Sequence, residues 1–252
     1  MIEIHSHILP GFDDGAQSRD EALEMAHQAV AQGITDIVAT PHHGNGTFMA
    51  PKELVIQAVE EMNRIFEAYK LPVTLHTGQE IRVYDGLIDD WEQNRLLTIA
   101  NSRYILLELP HHYVPDYFGD ILYEISIRDL IPVIAHPERN KEIMASPELL
   151  EEWVEQGALC QATSHSLTGL FGRKIQKATL HMCRSKLIHF ISSDAHNCKE
   201  RDFALKEAYR IVDRAVGRGT MNRYRENAKR LLSNEDFVSE KPVRVRRKLL
   251  FW

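Results

Sequence analysis

Cysteine is scarce in this chain of 252 residues: Cys160, Cys183 and Cys198 are the full set, odd in number and without metal-binding spacing. That points to reduced thiols and a cytoplasmic protein. It also excludes a cysteine-dependent phosphatase, which needs an arginine six positions after its nucleophile. Ser166, His189 and Ala204 stand there instead. No apolar run approaches the ~18 residues of a membrane helix, so membrane insertion is not expected. The opening Met1-Ile-Glu-Ile-His5 carries a charge where a signal peptide would not. Positive charge is not in excess: 30 basic against 36 acidic residues leave a net −6, which argues against a nucleic-acid partner. No Pro/Gly/Ser-rich linker divides the chain, so residues 1–240 read as one domain. The exception is 241–252, with five basic residues and no acidic one. It is either a solvated tail or a docking segment for an acidic partner or membrane surface.

What is present is a repeated alternation. Short apolar runs at 2–7, 34–40, 73–80, 104–109, 131–136, 158–163 and 188–193 are separated by amphipathic stretches, among them 20–32, 53–69, 117–128 and 147–156. Ser18 with Glu21 and Ser146 with Pro147 carry helix-start signals, and Gly33 and Gly157 suit left-handed helix ends. Seven strands alternating with helices predict a parallel α/β sheet, closed or nearly closed into a barrel.

Histidine is abundant, with 13 residues. A parallel barrel builds its site at the C-terminal ends of its strands, and nine histidines fall there: His5, His7, His42, His43, His111, His112, His136, His165 and His196. Asp13, Asp14, Glu80, Glu108 and Asp194 join the same rim. In the first strand, period-2 alternation predicts Ile2 and Ile4 facing the helices, with Glu3, His5 and His7 on the other side. Carboxylates crowded at one mouth are costly unless compensated. Mixed imidazole and carboxylate donors suit a cluster of manganese, iron or zinc ions.

Several motifs carry a resemblance: His5-Ser-His-Ile-Leu-Pro-Gly-Phe-Asp-Asp-Gly-Ala-Gln17, Ala39-Thr-Pro-His-His43, Gly78-Gln-Glu80, Ala135-His-Pro-Glu-Arg139, Ser166-Leu-Thr-Gly-Leu-Phe-Gly172 and Ser192-Ser-Asp-Ala-His-Asn197. From residue 1 to about 235 the chain resembles the PHP (polymerase and histidinol phosphatase) superfamily. The closer likeness is to its bacterial tyrosine-protein phosphatases, the CpsB/YwqE family of capsular and exopolysaccharide synthesis. His165 departs from the pattern, where a small residue is more usual. The resemblance implies a distorted (β/α)7 TIM-like barrel, the PHP fold, holding three divalent cations, most often discussed as Mn2+, with iron, zinc or magnesium as alternatives. Carried over residue by residue, His5, His7, Glu80 and Asp194 hold the first ion. Glu80 bridges to a second, completed by Glu108 and His136. His42, His196 and Asp14 hold the third, although Asp13 offers the same chemistry as Asp14. Asp14 also counts among the catalytic residues, with Arg139 and Arg201 as phosphate-gripping arginines. The alternative for the arginines is surface pairing with Glu138 or Glu200.

The resemblance further implies hydrolysis of phosphotyrosine on an autophosphorylated bacterial tyrosine kinase, itself membrane-bound or not, by water activated between cations. A histidinol-phosphate phosphatase or another PHP phosphoesterase is the rival enzyme reading. A non-catalytic regulator of polysaccharide synthesis is the rival outside enzymes.

Overall fold

A computed structural model describes residues 1–236 and 240–243. The remaining basic residues of the 241–252 segment, at 244–252, lie outside them. Strands and helices alternate in the order β1 (Ile2–Ser6), α1 (Arg19–Gln32), β2 (Asp36–Ala39), β3 (His42–His43), α2 (Lys52–Ala68), β4 (Thr74–Thr77), β5 (Glu80–Arg82), α3 (Leu87–Glu92), β6 (Tyr104–Glu108), α4 (Phe118–Ser126) and β7 (Ile131–Ala135). There follow α5 (Lys141–Ala145), α6 (Glu148–Glu155), β8 (Leu159–Thr163), α7 (Ser164–Thr168), α8 (Arg173–Arg184), β9 (Phe190–Ser192), α9 (Leu205–Ala215) and α10 (Arg218–Leu232). The helices predicted by periodicity agree within two residues at each end. Ser18 caps α1 by accepting from the Glu21 N–H, and Gly33 ends it at φ 84°. Ser146 does not cap α6. It closes α5, and Pro147 takes the cap position.

Every strand pairing is parallel, in the orders β1-β2-β4 and β3-β5-β6-β7-β8-β9. Among the described residues nine strands stand where seven runs were expected, because the segments 36–43 and 74–82 each break into two. Pro41, which has no N–H to donate, separates β2 from β3, and Gly78-Gln79 separates β4 from β5. Gly78 is required there, since a Cβ would stand 2.8 Å from Val38 Cγ1. Each broken run therefore contributes to both sheets. The break also makes Glu80 the start of a strand rather than the end of one, and sets it beside His42 as its register partner. At the other margin, Asp194 N–H donates to His5 O at 2.9 Å and His7 N–H to Ala195 O at 2.8 Å.

Ile4, Val38, Leu106, Val133, Leu159 and Phe190 form one buried cluster drawn from strands of both sheets, joined by Ala228 and Leu231 of α10. Ile37, Ile105, Ile134, Cys160 and Ile191 alternate with them and pack in the larger cluster that includes the helices. Simple alternation fails in β1. Its register slips between Glu3 and Ser6, and such a bulge reverses which residues share a face. Ile2 and Ile4 keep a common face, but it is the enclosed cluster rather than the helices, and after the slip His5 also turns to the interior, where it meets Gln161. Glu3, fully buried, does not share the imidazoles' role: it accepts from the His5 and Ser193 N–H groups.

Candidate metal centre

The C-terminal ends of β1, β6, β7 and β9 and the turns after them, with the first residues of the short strands β3 and β5, bring the predicted residues together. His5 and His7 come from the end of β1, His42 from β3, Glu80 from β5 and Glu108 from β6. His136 follows β7, and Asp194 and His196 follow β9. His136 and Asp194 adopt left-handed conformations, φ 32° and 55°. Non-glycine residues hold such angles at a cost of about 1–3 kcal/mol, which the surrounding structure sustains.

Among the described residues three sets of donor atoms form, the atoms of each set lying within 4.8 Å of one another: His5, His7, Glu80 and Asp194; His7, Asp14, His42 and His196; and His42, Glu80 and Glu108. Glu80 belongs to two of them. Its Oε1 lies 3.3 Å from His5 Nε2 and 2.8 Å from His136 Nε2, and its Oε2 lies 2.8 Å from His42 Nδ1. His42 turns its other nitrogen to Asp14 Oδ1 at 3.6 Å, which His196 Nε2 approaches to 3.3 Å. His42 thus stands between two groups, where the sequence assigned it to one. His136 touches Glu80 and is not within the compact donor set of Glu108.

These residues fit divalent cations. His42 Nδ1 and Glu80 Oε2 face each other at 2.8 Å, and His196 Nε2 faces Asp14 at 3.3 Å, but none of these buried atoms makes a well-aligned hydrogen bond among the described residues, a costly state unless something else satisfies them. Glu108 is pushed up to about 7 by its burial and by the Glu80 carboxylate, against the weaker pull of His42 and Arg82. For Glu80 and Asp194, burial works upward. His5 and the neighbouring imidazoles outweigh it, joined at Asp194 by the two guanidiniums, and hold both well below the usual carboxylate range.

Supporting residues emerge that sequence reasoning did not assign. Asp13 Oδ2 accepts from His7 Nδ1 at 2.6 Å and from the His42 N–H at 2.9 Å. Asp13 therefore orients two donors, and Asp14 faces the site. Gln161 Oε1 accepts from His5 Nδ1 at 3.0 Å. Both contacts leave Nε2 of the imidazole free to ligate. The signal for Gln161 was an isolated polar residue on the interior parity of β8. Arg82, two residues after Glu80, places Nε and Nη2 each 2.9 Å from Glu108 Oε2. Gly15 folds the Asp13–Asp14 turn back on β1, so close that a Cβ would stand 2.0 Å from His7 O.

Other rim histidines serve elsewhere. His43 Nδ1 donates to Ala50 O, His165 Nε2 donates to Asp202 O, and His111 and His112 are exposed. Neither arginine pairs with Glu138 or Glu200. Arg139 Nη1 and Arg201 Nη2 both donate to Asp194 Oδ2, while Glu138 is buried and accepts from the Thr163 N–H. Arg201 Nε has no partner among the described residues. Phe48 stacks on His42 with ring planes 9° apart, and Phe171 lies under the Arg139 guanidinium at 5.3 Å. Burial pushes the Cys183 thiol up to about 12 and Cys198 to about 11, so neither supplies a thiolate near neutral pH.

Known proteins resemble this chain over nearly its whole length. The chain is 41% identical over 251 residues to the tyrosine-protein phosphatase YwqE of Bacillus subtilis, covering 100% of this chain and 99% of that protein. It is 40% identical to the putative tyrosine-protein phosphatase CapC of Staphylococcus aureus, covering 96% and 95%. A solved chain from the crystal structures of YwqE from Bacillus subtilis and CpsB from Streptococcus pneumoniae, described as unique metal-dependent tyrosine phosphatases, matches with TM-score 0.95 at 41% identity over 98% of this chain and 100% of its own. The family model for capsular polysaccharide synthesis proteins CpsB/CapC matches residues 1–233, and with the donor sets above it shows that this chain belongs to the CpsB/CapC family.

Proposed function

We propose that this chain is a metal-dependent protein-tyrosine phosphatase acting on a phosphorylated bacterial tyrosine kinase that controls capsular or exopolysaccharide synthesis. The observation that carries the reading is the set of overlapping donor groups sharing His7, Glu80 and His42, with two guanidiniums converging on Asp194, a member of one of them. We further read the two parallel sheets as one distorted (β/α)7 barrel within a single domain of residues 1–240. The protein acts in the cytoplasm on this reading.

His5, His7, Glu80 and Asp194 would hold one divalent cation, Glu80 with Glu108 and His136 a second, and His42, His196 and Asp14 a third, manganese being the preferred ion. Bound there, the cations would supply Lewis-acid polarisation of the phosphate and acidify a water towards neutrality. The chain's own residues do the rest. Arg139 and Arg201 grip phosphate oxygens and carry their developing charge through the bidentate fork. Asp13 and Gln161 keep the His7 and His5 rings in register. Asp14, with a side chain 51% exposed, connects the site to bulk water for proton exchange. A tyrosinate leaving group, with an intrinsic pKa of about 10, needs less proton assistance than a serine alkoxide.

The experiment is hydrolysis of a phosphotyrosine peptide and of histidinol phosphate, with metal analysis of the same preparation. Bound manganese-like ions, turnover of the peptide in preference to histidinol phosphate, and loss of turnover with chelator are expected. Preference for histidinol phosphate overturns the substrate, and a metal-free protein with full activity overturns the mechanism.

A further inference from the structure

The chain is electrically lopsided. Residues 1–172 carry 27 acidic and ten basic side chains, whereas residues 173–252 carry nine acidic and 20 basic. The change of sign begins at α8, whose 12 residues include Arg173, Lys174, Lys177 and Arg184 and no carboxylate. Much of the basic half is internally compensated: Arg210 pairs with Glu207, Arg218 with Asp213, and Lys229 with Glu226. The start of α8 is not. Arg173, Lys174 and Lys177 are exposed, and none has an ion-pair or side-chain hydrogen-bond partner among the described residues. Lys177 shares a helix face with both of the others, at spacings of four and three.

This uncompensated charge lies beside the candidate active site. Phe171, two residues before Arg173, sits under the Arg139 guanidinium at 5.3 Å, and α8 packs against the turn Pro137–Arg139. Leu170, 54% exposed, adds an apolar contact at the same edge. All three cations fall within the first five residues of α8, about 6 Å of helix axis. A phosphopeptide approaching over the acidic first two-thirds of the chain meets like charge. Over α8 it meets the opposite sign, and complementary potentials of this kind set both encounter rate and choice of partner.

We propose that the exposed first turns of α8 form a docking edge for the chain flanking the target phosphotyrosine, and that they select peptides bearing acidic residues within a few positions of it. The proposal rests on the phosphatase reading and specifies its substrate class. Two phosphotyrosine peptides, alike except for acidic or neutral flanking residues, are compared on the metal-loaded wild type and on the variant Arg173→Glu, Lys174→Glu, Lys177→Glu. 4-Nitrophenyl phosphate, which has no flanking chain, serves as control. Expected is a kcat/KM preference of about tenfold for the acidic peptide, expressed in KM and weakened by salt. In the variant the preference falls to near one or inverts, while 4-nitrophenyl phosphate turnover stays within twofold; three exposed charge contacts are worth about this much together. An unchanged preference in the variant overturns the docking edge while leaving the phosphatase reading intact. Absence of turnover on every aryl phosphate refutes the phosphatase reading. Binding of the labelled acidic peptide by fluorescence anisotropy then decides the edge separately, since unchanged binding in the variant overturns it. Loss of binding to anionic lipid vesicles in the variant, with peptide preference unchanged, assigns the edge to a membrane surface and likewise overturns the proposal.

Discussion

Arg139 donates from Nη1 to Asp194 Oδ2 at 2.5 Å, while the other oxygen of that carboxylate faces His7 Nε2 at 3.1 Å. One carboxylate thus joins the proposed phosphate grip to the proposed metal cluster, and Arg201 reaches the same Oδ2 at 2.7 Å. If the arginines serve substrate, Arg139→Ala lowers kcat/KM for phosphotyrosine peptide by about 10²–10³, the scale for losing one preorganised charge-stabilising donor. Metal content is retained and Arg139→Lys rescues only in part, because a point charge replaces a planar fork. Loss of metal in parallel with activity would instead make Arg139 a support for Asp194.

Glu80 belongs to two donor sets and also touches His136, whereas Glu108 belongs to one. Glu80→Gln is therefore expected to lose more bound metal than Glu108→Gln, with turnover abolished in the first and strongly reduced in the second. Elemental analysis of the two purified variants beside wild type makes the comparison. Equal metal content in all three would refute the bridging role.

Asp13 orients His7 and the His42 backbone without facing the cluster. Asp13→Asn should weaken metal affinity by about 10- to 100-fold, the usual effect of removing such an orienting carboxylate. Gly15→Ala drives a Cβ into His7 O and should cost about 1–3 kcal/mol of stability as well as activity. Thermal denaturation separates the two variants. Asp13→Asn should melt near wild type when metal is saturating, and an unshifted melting temperature in Gly15→Ala would contradict the close approach.

His189, the buried residue just before β9, belongs to none of the donor sets, and its Nδ1 accepts from the Cys160 N–H at 3.1 Å. Burial and the nearby Arg223 lower its pKa to about 4 from an ordinary 6.5. The folded state therefore refuses a proton that the unfolded chain accepts. Its contribution is fully present above about pH 6.5 and is lost as pH falls towards 4, a difference of about 3 kcal/mol at the limit. Denaturant titrations across that window should show a shallower decline for His189→Asn, which keeps an acceptor and does not titrate. Parallel curves would remove His189 as the cause.

The α/β alternation and the inventory of metal-type donors were legible in the chain itself. Apolar period reports burial, and imidazole and carboxylate chemistry resides in residue type, so motifs such as His5-Ser-His7 and Asp194-Ala-His196 announce it without a structure. The breaks at Pro41 and Gly78 were not legible as changes of sheet, yet they set His42 beside Glu80. Nor was the face that Ile2 and Ile4 take, the enclosed cluster rather than the helices, nor the slip in β1 after which His5 also meets the interior at Gln161. Asp13 and Asp14 are chemically alike, and only the turn folded by Gly15 puts one behind His7 and the other before His196. Residue type decides which atoms are able to bind. Which of them meet depends on strand pairing and ring orientation between residues as distant in the chain as His7 and Asp194, and those contacts exist only once the sheets have formed.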